Sequence, residues 1–180
     1  MSKHQLIVTI LGTDKSGILS EIATTVSEAQ CNILDSRQAI YGKEFSLTMI
    51  IEGTQSAITK AECILPSLFQ RLDLLSMMKR TRHHEKQNLD YLYDVEFSGE
   101  DSHGLLKSVT GFFAKRHVSI SAFRQRTFKD KKTGKEMMRC KFVVSTPDSV
   151  DITQLRSEAD ALFGSLNLSG KIIDKNKGEL

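Results

Sequence analysis

The sequence predicts an α+β protein made of two βαββαβ domains in tandem. Three observations lead to this prediction: a length of 180 residues, an internal repeat at a fixed offset of 87 residues, and strand-like and helix-like hydrophobic patterns that alternate inside each repeat. A chain of this length is long for one small domain. It accommodates two domains of about 80–90 residues, each with a modest core.

The second half of the chain repeats the first half without a gap, with residues 95–125 matching residues 8–38. Both copies contain the pattern G-x-D-x-x-G-[IL]-L, which begins at Gly12 in the first copy and at Gly99 in the second. The second copy then carries a polar insert over 129–135, which we expect to form an extended hairpin loop. Self-similarity of this kind indicates two units with one fold.

Hydrophobic periodicity assigns six elements to the first copy. The first strand is apolar on both faces, as in a strand that is covered on both sides. Asp14 is placed to cap the first helix, and Tyr41 to Lys43 form a tight turn between two strands. Pro66 lies inside the second helix and is expected to kink or interrupt it. The elements in order are strand 4–11, helix 16–29, strands 33–41 and 44–52, helix 55–72 and strand 74–80.

The second copy has the same order of elements. Asp151 and Gln154 resemble a capping box at the start of its last helix. The predicted elements are strand 91–98, helix 103–116, strands 118–128 and 136–145, helix 151–164 and strand 166–174. Right-handed crossovers turn each copy into a ferredoxin-like unit, a four-stranded antiparallel sheet with both helices on one face. The predicted organisation is a domain over 1–82, a polar linker over 83–90 and a second domain over 91–180. The apolar residues on the bare face of each sheet imply that another surface covers it.

Composition is that of an ordinary cytoplasmic protein, with 39% hydrophobic residues, 26% charged residues and a formal charge of +3. Neither a signal peptide nor a membrane span is indicated, because the apolar runs are too short. The three cysteines lack metal-binding spacing and are expected to be buried thiols. The small basic excess argues against direct nucleic-acid binding.

Both copies resemble the ACT domain, a module that senses small molecules. Each copy has the D-x-x-G turn after the first strand, and the first copy also has C-N-I at the start of the second strand. Longer stretches resemble the family of glycine cleavage system transcriptional repressors. These stretches are G-T-D-K-S-G-I (12–18), C-N-I-L-D-S-R (31–37), G-K-E-F-S-L-T-M (42–49), S-A-I-T-K (56–60) and M-M-K-R-T (77–81).

The resemblance implies a cytoplasmic, non-enzymatic regulator that represses the glycine cleavage operon when glycine is scarce. Members of this family are thought to act through a DNA-binding activator of the LysR type, and glycine would relieve repression. The resemblance also implies that an amino acid is held at the loop after the first strand and at the entry to the second strand, commonly across a domain interface. The effector would then be glycine or a similar small amino acid, with no cofactor.

The chemistry of the same residues fits an α-amino acid. The turn from Asp14 to Gly17 lies where a strand feeds a helix N-terminus, so free amides and the positive end of the helix dipole suit a carboxylate. Asn32 can donate to a carboxylate and accept from an ammonium group. The alternative is that D-x-x-G is only a cap and a turn. The predicted site comprises Asp14, Lys15, Ser16, Gly17, Ile18, Asn32 and Ile33.

The second copy has diverged at this site. Ser119 replaces Asn32 and His103 replaces Ser16, so its polarity differs, and we expect the first copy to be the better amino-acid site. The equivalent residues are Asp101, Ser102, His103, Gly104, Leu105, Ser119 and Ile120.

Basic residues offer a candidate partner surface. Arg37 and Arg124 recur at the same strand position, and Lys131 and Lys132 lie in the insert; solvated side chains are the ordinary alternative. His83 and His84 are adjacent in the predicted linker and lack further metal ligands, so no metal site is predicted.

Three functions remain open from the sequence. The first is a regulator that binds a small amino acid and a partner protein. The second is a repressor that binds DNA directly through the basic loop. The third is a detached regulatory module of an amino-acid or folate enzyme. No catalytic motif is found, and the sequence leaves a homo-oligomer open.

Overall fold

A computed structural model describes residues 3–81 and 91–175 of the chain. The chain divides into two compact units, Met1–Lys86 and Gln87–Leu180. The predicted linker 83–90, with His83 and His84, lies outside the described residues. Each unit is described by itself.

The first unit has the predicted βαββαβ order, and its strands pair in the order β2-β3-β1-β4. All three pairings are antiparallel, as predicted for a ferredoxin-like sheet. A β-bulge at Leu34, between Ile33 and Asp35, interrupts the register of β2 against β3. The elements are β1 (His4–Thr13), α1 (Ile18–Glu28), β2 (Asn32–Tyr41), β3 (Glu44–Gly53), α2 (Gln55–Arg71) and β4 (Leu75–Thr81).

The second unit repeats this topology with the strand order β6-β7-β5-β8. The insert forms the predicted hairpin loop, in which the Asp130 carboxylate accepts hydrogen bonds from the amides of Thr133 (2.9 Å) and Lys132 (2.7 Å). These bonds lower the pKa of Asp130. The elements are β5 (Leu92–Glu100), α3 (Leu105–Ala114), β6 (Ser119–Lys129), β7 (Glu136–Ser145), α4 (Ile152–Ser165) and β8 (Ser169–Asp174).

Alternation along the strands places one core in each unit, between the sheet and its helices. Every second residue of β1 is buried, and β3 contributes its alternate residues in the same way. The fully buried strand residues of the first unit are Leu6, Val8, Ile10, Phe45, Leu47, Met49 and Ile51. In the second unit the core is aromatic: the ring of Phe97 lies 5.3 Å from that of Phe142 and 5.5 Å from that of Phe163.

The two faces of the first strand are buried to different degrees within the described residues. Leu6, Val8 and Ile10 face the helices and are at most 1% exposed, whereas Leu11 on the opposite face is 45% exposed. Ile7 is half-buried by its neighbours in the sheet. The apolar residues of β1 are therefore fully buried only on the face that packs against the helices.

Of the two predicted effects of Pro66, a kink or an interruption, the interruption does not occur. The helix α2 runs continuously over Gln55–Arg71, and Pro66 lies on its exposed side. The proline leaves the carbonyl of Glu62 without its usual amide donor. Since Pro66 points toward solvent, the apolar face with Leu65 and Leu68 packs into the core undisturbed.

The predicted capping box at α4 forms only in part. The Asp151 carboxylate accepts from the amides of Thr153 (2.8 Å) and Gln154 (3.4 Å), so it caps the helix. The Gln154 side chain donates to Glu158 at 2.8 Å and does not return to the cap. Gln154 therefore bonds to Glu158, four residues further along the helix surface, instead of to the backbone amide of Asp151.

We expect Phe142→Ala to destabilise the second unit by about 3–5 kcal/mol, because it removes a fully buried ring and leaves a cavity among phenylalanines. The measurement is the free energy of unfolding in urea. Phe123→Ala is the matched control, since Phe123 contacts Phe142 but is 52% exposed. Equal losses for the two variants would contradict the description of the core.

Candidate functional site

The turn from β1 into α1 is an exposed loop over Asp14, Lys15, Ser16 and Gly17. The amide of Asp14 donates to the carbonyl of Lys43 at 2.8 Å, which ties the loop to the β2–β3 turn. The amide of Ile18 donates to the carbonyl of Lys15 at 3.3 Å, and Ile18 is buried. The loop is thus fixed at both ends while its middle faces solvent.

Asp14 is not the helix cap that the sequence suggested. The N-cap is Gly17, whose φ of 91° lies in the left-handed region, and no side chain caps the helix. The reason is that three more residues of the turn follow Asp14 before α1 starts at Ile18. Glycine is needed there for its backbone conformation.

The absence of a side-chain cap leaves donors available at the start of α1. Within residues 3–81 and 91–175, the backbone amides of Ser16, Gly17 and Leu19 donate no hydrogen bond. They lie at the positive end of an 11-residue helix. Such amides attract a carboxylate or another small anion.

The second copy builds the same turn with one difference. Gly104 has a φ of 87°, and the amide of Asp101 donates to the carbonyl of Glu136 at 2.8 Å. The carboxylate of Asp101, however, accepts a hydrogen bond from the Thr127 hydroxyl at 3.2 Å. Ile40 occupies the position of Thr127 in the first copy, so Asp14 lacks this partner. The remaining predicted residues of this turn, Ser102 and His103, are exposed, and Leu105 is buried.

Asn32 and Ile33 do not lie beside the loop of their own unit. Asn32 pairs with Glu52, which pairs with Gln5, whereas the loop follows Thr13 at the other end of β1. Eight residues of strand separate the two ends, roughly 26 Å. The set predicted from the sequence therefore splits into two groups at opposite ends of the sheet. Ser119 and Ile120 stand in the same relation to the second loop.

Two glycines that sequence reasoning left without a role hold the loops in place. A Cβ on Gly12 would lie 2.5 Å from the Leu74 side chain and 3.3 Å from the Asp73 carbonyl. Gly99 makes the equivalent approach to Leu168 and Asn167. Their identity in both copies was the available signal, since a glycine inside a strand often marks a close backbone approach.

The candidate partner residues are all exposed. Arg37 and Arg124 lie on the outer faces of β2 and β6, and Arg37 is 3.8 Å from Asp35, a long contact for a surface ion pair. Lys131 and Lys132 lie in the β6–β7 hairpin loop. The two arginines thus occupy equivalent places in the two sheets, as the repeat predicted.

The cysteines differ in exposure: Cys140 is buried, Cys31 is partly buried and Cys63 is exposed, so the expectation of three buried thiols is met in full only by Cys140. Burial, with a smaller contribution from the charge of Asp101, raises the pKa of the Cys140 thiol to about 11. Over residues 3–81 and 91–175, no three histidine, cysteine, aspartate or glutamate side chains are grouped as metal ligands. No helix in that part of the chain is long and apolar enough to cross a membrane.

Comparison with known proteins agrees with this architecture. Models of the ACT domain match residues 4–79 and residues 93–160. A protein of unknown function from Galdieria sulphuraria superposes with a TM-score of 0.76 over 96% of this chain and 99% of its own, at 17% identity, which shows the fold alone. The fold, the two matches and the repeated turn define a tandem ACT-domain protein.

The relatives narrow this class to one family. The glycine cleavage system transcriptional repressor of Escherichia coli (strain K12) is 33% identical over 171 residues, 95% of this chain and 90% of the relative. A crystal structure provisionally described as a repressor of the same kind superposes with a TM-score of 0.76 at 36% identity, over 96% of this chain and 97% of its own. This chain belongs to the glycine cleavage system transcriptional repressor family, and its role is regulatory.

We expect Gly17→Val to lower the free energy of unfolding by about 1–3 kcal/mol, because a β-branched residue is strained at a φ of 91°. Ser16→Val is the control in the same exposed loop, with an expected change below about 0.5 kcal/mol. Chemical denaturation measures both. A Gly17→Val protein as stable as the control would refute the role given to this glycine.

We expect iodoacetamide at pH 8 to alkylate Cys63 in the native protein and to spare Cys140. Cys63 is exposed, whereas the raised pKa of Cys140 keeps its thiol protonated at this pH and the core shields it. Peptide mass mapping before and after unfolding in urea measures the difference. Native labelling of both at one rate would contradict the structure.

Proposed function

We propose that this protein is a non-enzymatic repressor of the glycine cleavage operon that senses glycine or a similar small amino acid. In this proposal it acts through a DNA-binding activator protein of the LysR type. The similarity to the Escherichia coli repressor supports the assignment to this operon, since it extends over 95% of the chain. The observation that supports sensing is the turn from β1 into α1, with its free amides.

The chemistry of the turn suits the two charges of an amino acid. The ligand carboxylate would accept hydrogen bonds from the amides of Ser16, Gly17 and Leu19, where the helix dipole adds to the attraction. The exposed carboxylate of Asp14 would accept from the ammonium group. In the second copy the equivalent Asp101 is bonded to Thr127, which favours the first copy as the amino-acid site.

Asn32 would enter the site only from another molecule. It lies at the far end of its own sheet, so it cannot reach a ligand at Gly17 in the same unit. If two copies of the chain pair along their β2 edges in antiparallel fashion, the start of one strand lies beside the end of the other. A homodimer of this kind would bring Asn32 of one copy to the loop of the other.

Regulation requires that glycine distinguish two states. Glycine can shift the protein away from the repressing state only if it binds the other state more tightly. By linkage, the two effects are equal: the factor by which glycine weakens activator binding is also the factor by which the activator weakens glycine binding. The proposed effect can therefore be measured in two ways, as activator binding with and without glycine or as glycine binding with and without the activator.

Calorimetry with glycine, alanine and serine on the purified protein tests direct sensing. We expect heat and a thermal shift at millimolar glycine. Ser16→Glu should weaken glycine binding at least tenfold, about 1.4 kcal/mol, because a second carboxylate would compete for the same amides. His103→Glu makes the matching change in the second copy and should leave the affinity within twofold. No heat at millimolar glycine, or an equal loss of glycine affinity in the two variants, would refute the proposed site.

A gel-shift assay separates action through a partner from direct DNA binding. We expect operator DNA to shift at physiological salt only when the activator is present, and the complex to change on addition of this protein. Phosphate contacts by the basic hairpin would instead give a shift by this protein alone that weakens steeply as salt rises. That result would refute action through a partner and support direct DNA binding by this protein.

A further inference from the structure

The outer face of the second sheet, which points away from the helices, carries five basic side chains in two neighbouring rows. Register places Arg124, Lys141, Glu96 and Lys171 side by side across the four strands. The next row contains Arg126, Arg139, Ser98 and Ser169. The arginines and both lysines are exposed. We call this set of eight residues the basic face.

The acidic residues nearby are engaged by the lysines. Lys141 lies 2.8 Å from Asp94 and 3.2 Å from Glu96, and Lys171 lies 3.6 Å from Glu96. These contacts raise the pKa of Lys141, chiefly through its hydrogen bond to Asp94. In the part of the chain that the structure describes, Arg124, Arg126 and Arg139 form no ion pair. Three guanidinium groups are therefore left for an external acid.

The arrangement opposes the stability of the sheet. Arg126 lies directly opposite Arg139, and Arg124 lies directly opposite Lys141. Like charges at directly opposite positions of an antiparallel pair are destabilising. The fold does not require them, since the pair in the first sheet that corresponds to Arg126 and Arg139 is Ala39 and Ser46.

Two open depressions lie on the basic face, and one exposed aromatic ring lies beside it. A cavity of about 420 Å³ is lined by Arg126, Thr127, Phe128 and Arg139. Arg139 also lines a cavity of about 430 Å³ together with Lys141 and Lys171. The guanidinium of Arg139 lies 5.9 Å from the centre of the Phe128 ring, which is 43% exposed. Arginine beside an exposed aromatic ring is typical of the centre of a protein–protein interface.

We propose that the basic face, centred on Arg126 and Arg139, is the docking surface for an acidic segment of a partner protein. The inference rests on the proposed function, in which repression runs through a protein partner, and it assigns the surface that meets this partner. Planar guanidinium groups can hold the separate carboxylates of such a segment bidentately.

Charge distribution favours a protein over a nucleic acid as the occupant. Glu96 lies within the basic face, and Glu100 lies beside it, paired to Lys135 at 2.6 Å. A phosphate backbone crossing the sheet would meet these carboxylates as like charges. A protein segment can present acids to the arginines and a basic or neutral residue to Glu96, so its charge complements the whole face.

The first test measures the binding of a fluorescent peptide of alternating glutamate and leucine by anisotropy. We expect the double variant Arg126→Ala, Arg139→Ala to weaken peptide binding at least tenfold and to be as stable as the parent protein or more so, because the like-charge pair is relieved. Lys131→Ala, Lys132→Ala removes the same charge from the neighbouring hairpin loop and should change binding less than threefold. Equal losses in the two double variants, no binding by the parent, or tighter binding of a duplex DNA of equal charge would overturn the proposal.

The second test separates this proposal from the proposed function. The LysR-type activator of the operon is titrated with the parent and with the Arg126→Ala, Arg139→Ala variant, and glycine binding is measured on both. Loss of activator binding with unchanged glycine affinity supports the basic face. Activator binding that is equal for both proteins refutes the basic face alone. A parent protein that binds glycine but not the activator refutes the proposed partner. The peptide titration then shows whether the basic face binds an acidic segment.

Discussion

The burial of one face of the central strands β1 and β5 is the constraint on which each unit depends. Each of these strands pairs with two neighbours and supplies alternate residues to the core, so its register determines which side of the sheet the helices cover. In β1 the residues involved are Leu6, Val8 and Ile10, all at most 1% exposed. A shift by one residue would expose this entire set, which is why both copies keep the same alternation.

This register also determines what the ends of the sheet can do. Because β1 spans the whole sheet, the loop that follows Thr13 and the strand that begins at Asn32 are at opposite ends. Gly12 lies against Leu74 and Gly17 adopts a positive φ, so the loop is shaped by backbone packing. The result is a small set of amides in an exposed loop that no side chain of the protein caps. Amides of this kind at a helix N-terminus attract small anions.

The two copies show which residues the fold requires and which it leaves free. The glycines around the β1–α1 turn agree between them: Gly12 matches Gly99, and Gly17 matches Gly104 in both identity and conformation. Core positions of the strands are buried and apolar in both copies, although most of the residue types differ. The outer faces of the sheets do not agree, since Ser46 in the first corresponds to Arg139 in the second. The buried side must fill a core of similar shape in both units, whereas the bare faces carry different side chains in the two copies.

The order of all twelve elements, the repeat and the hairpin insert followed from the sequence, because period-2 and helical patterns of apolar residues are local signals. The loop at Asp14 to Gly17 was also recognisable, since it recurs in the second copy. Tertiary structure decided three other points: that Gly17 and not Asp14 caps α1, that Asn32 is remote from this loop, and that Arg126 faces Arg139. The first depends on the backbone of the turn, where Gly17 has a φ of 91°. The other two depend on which strands pair and in what register, and pairing joins residues far apart in the chain. A linear pattern states which residues share a face, but only the folded sheet states which of them are neighbours.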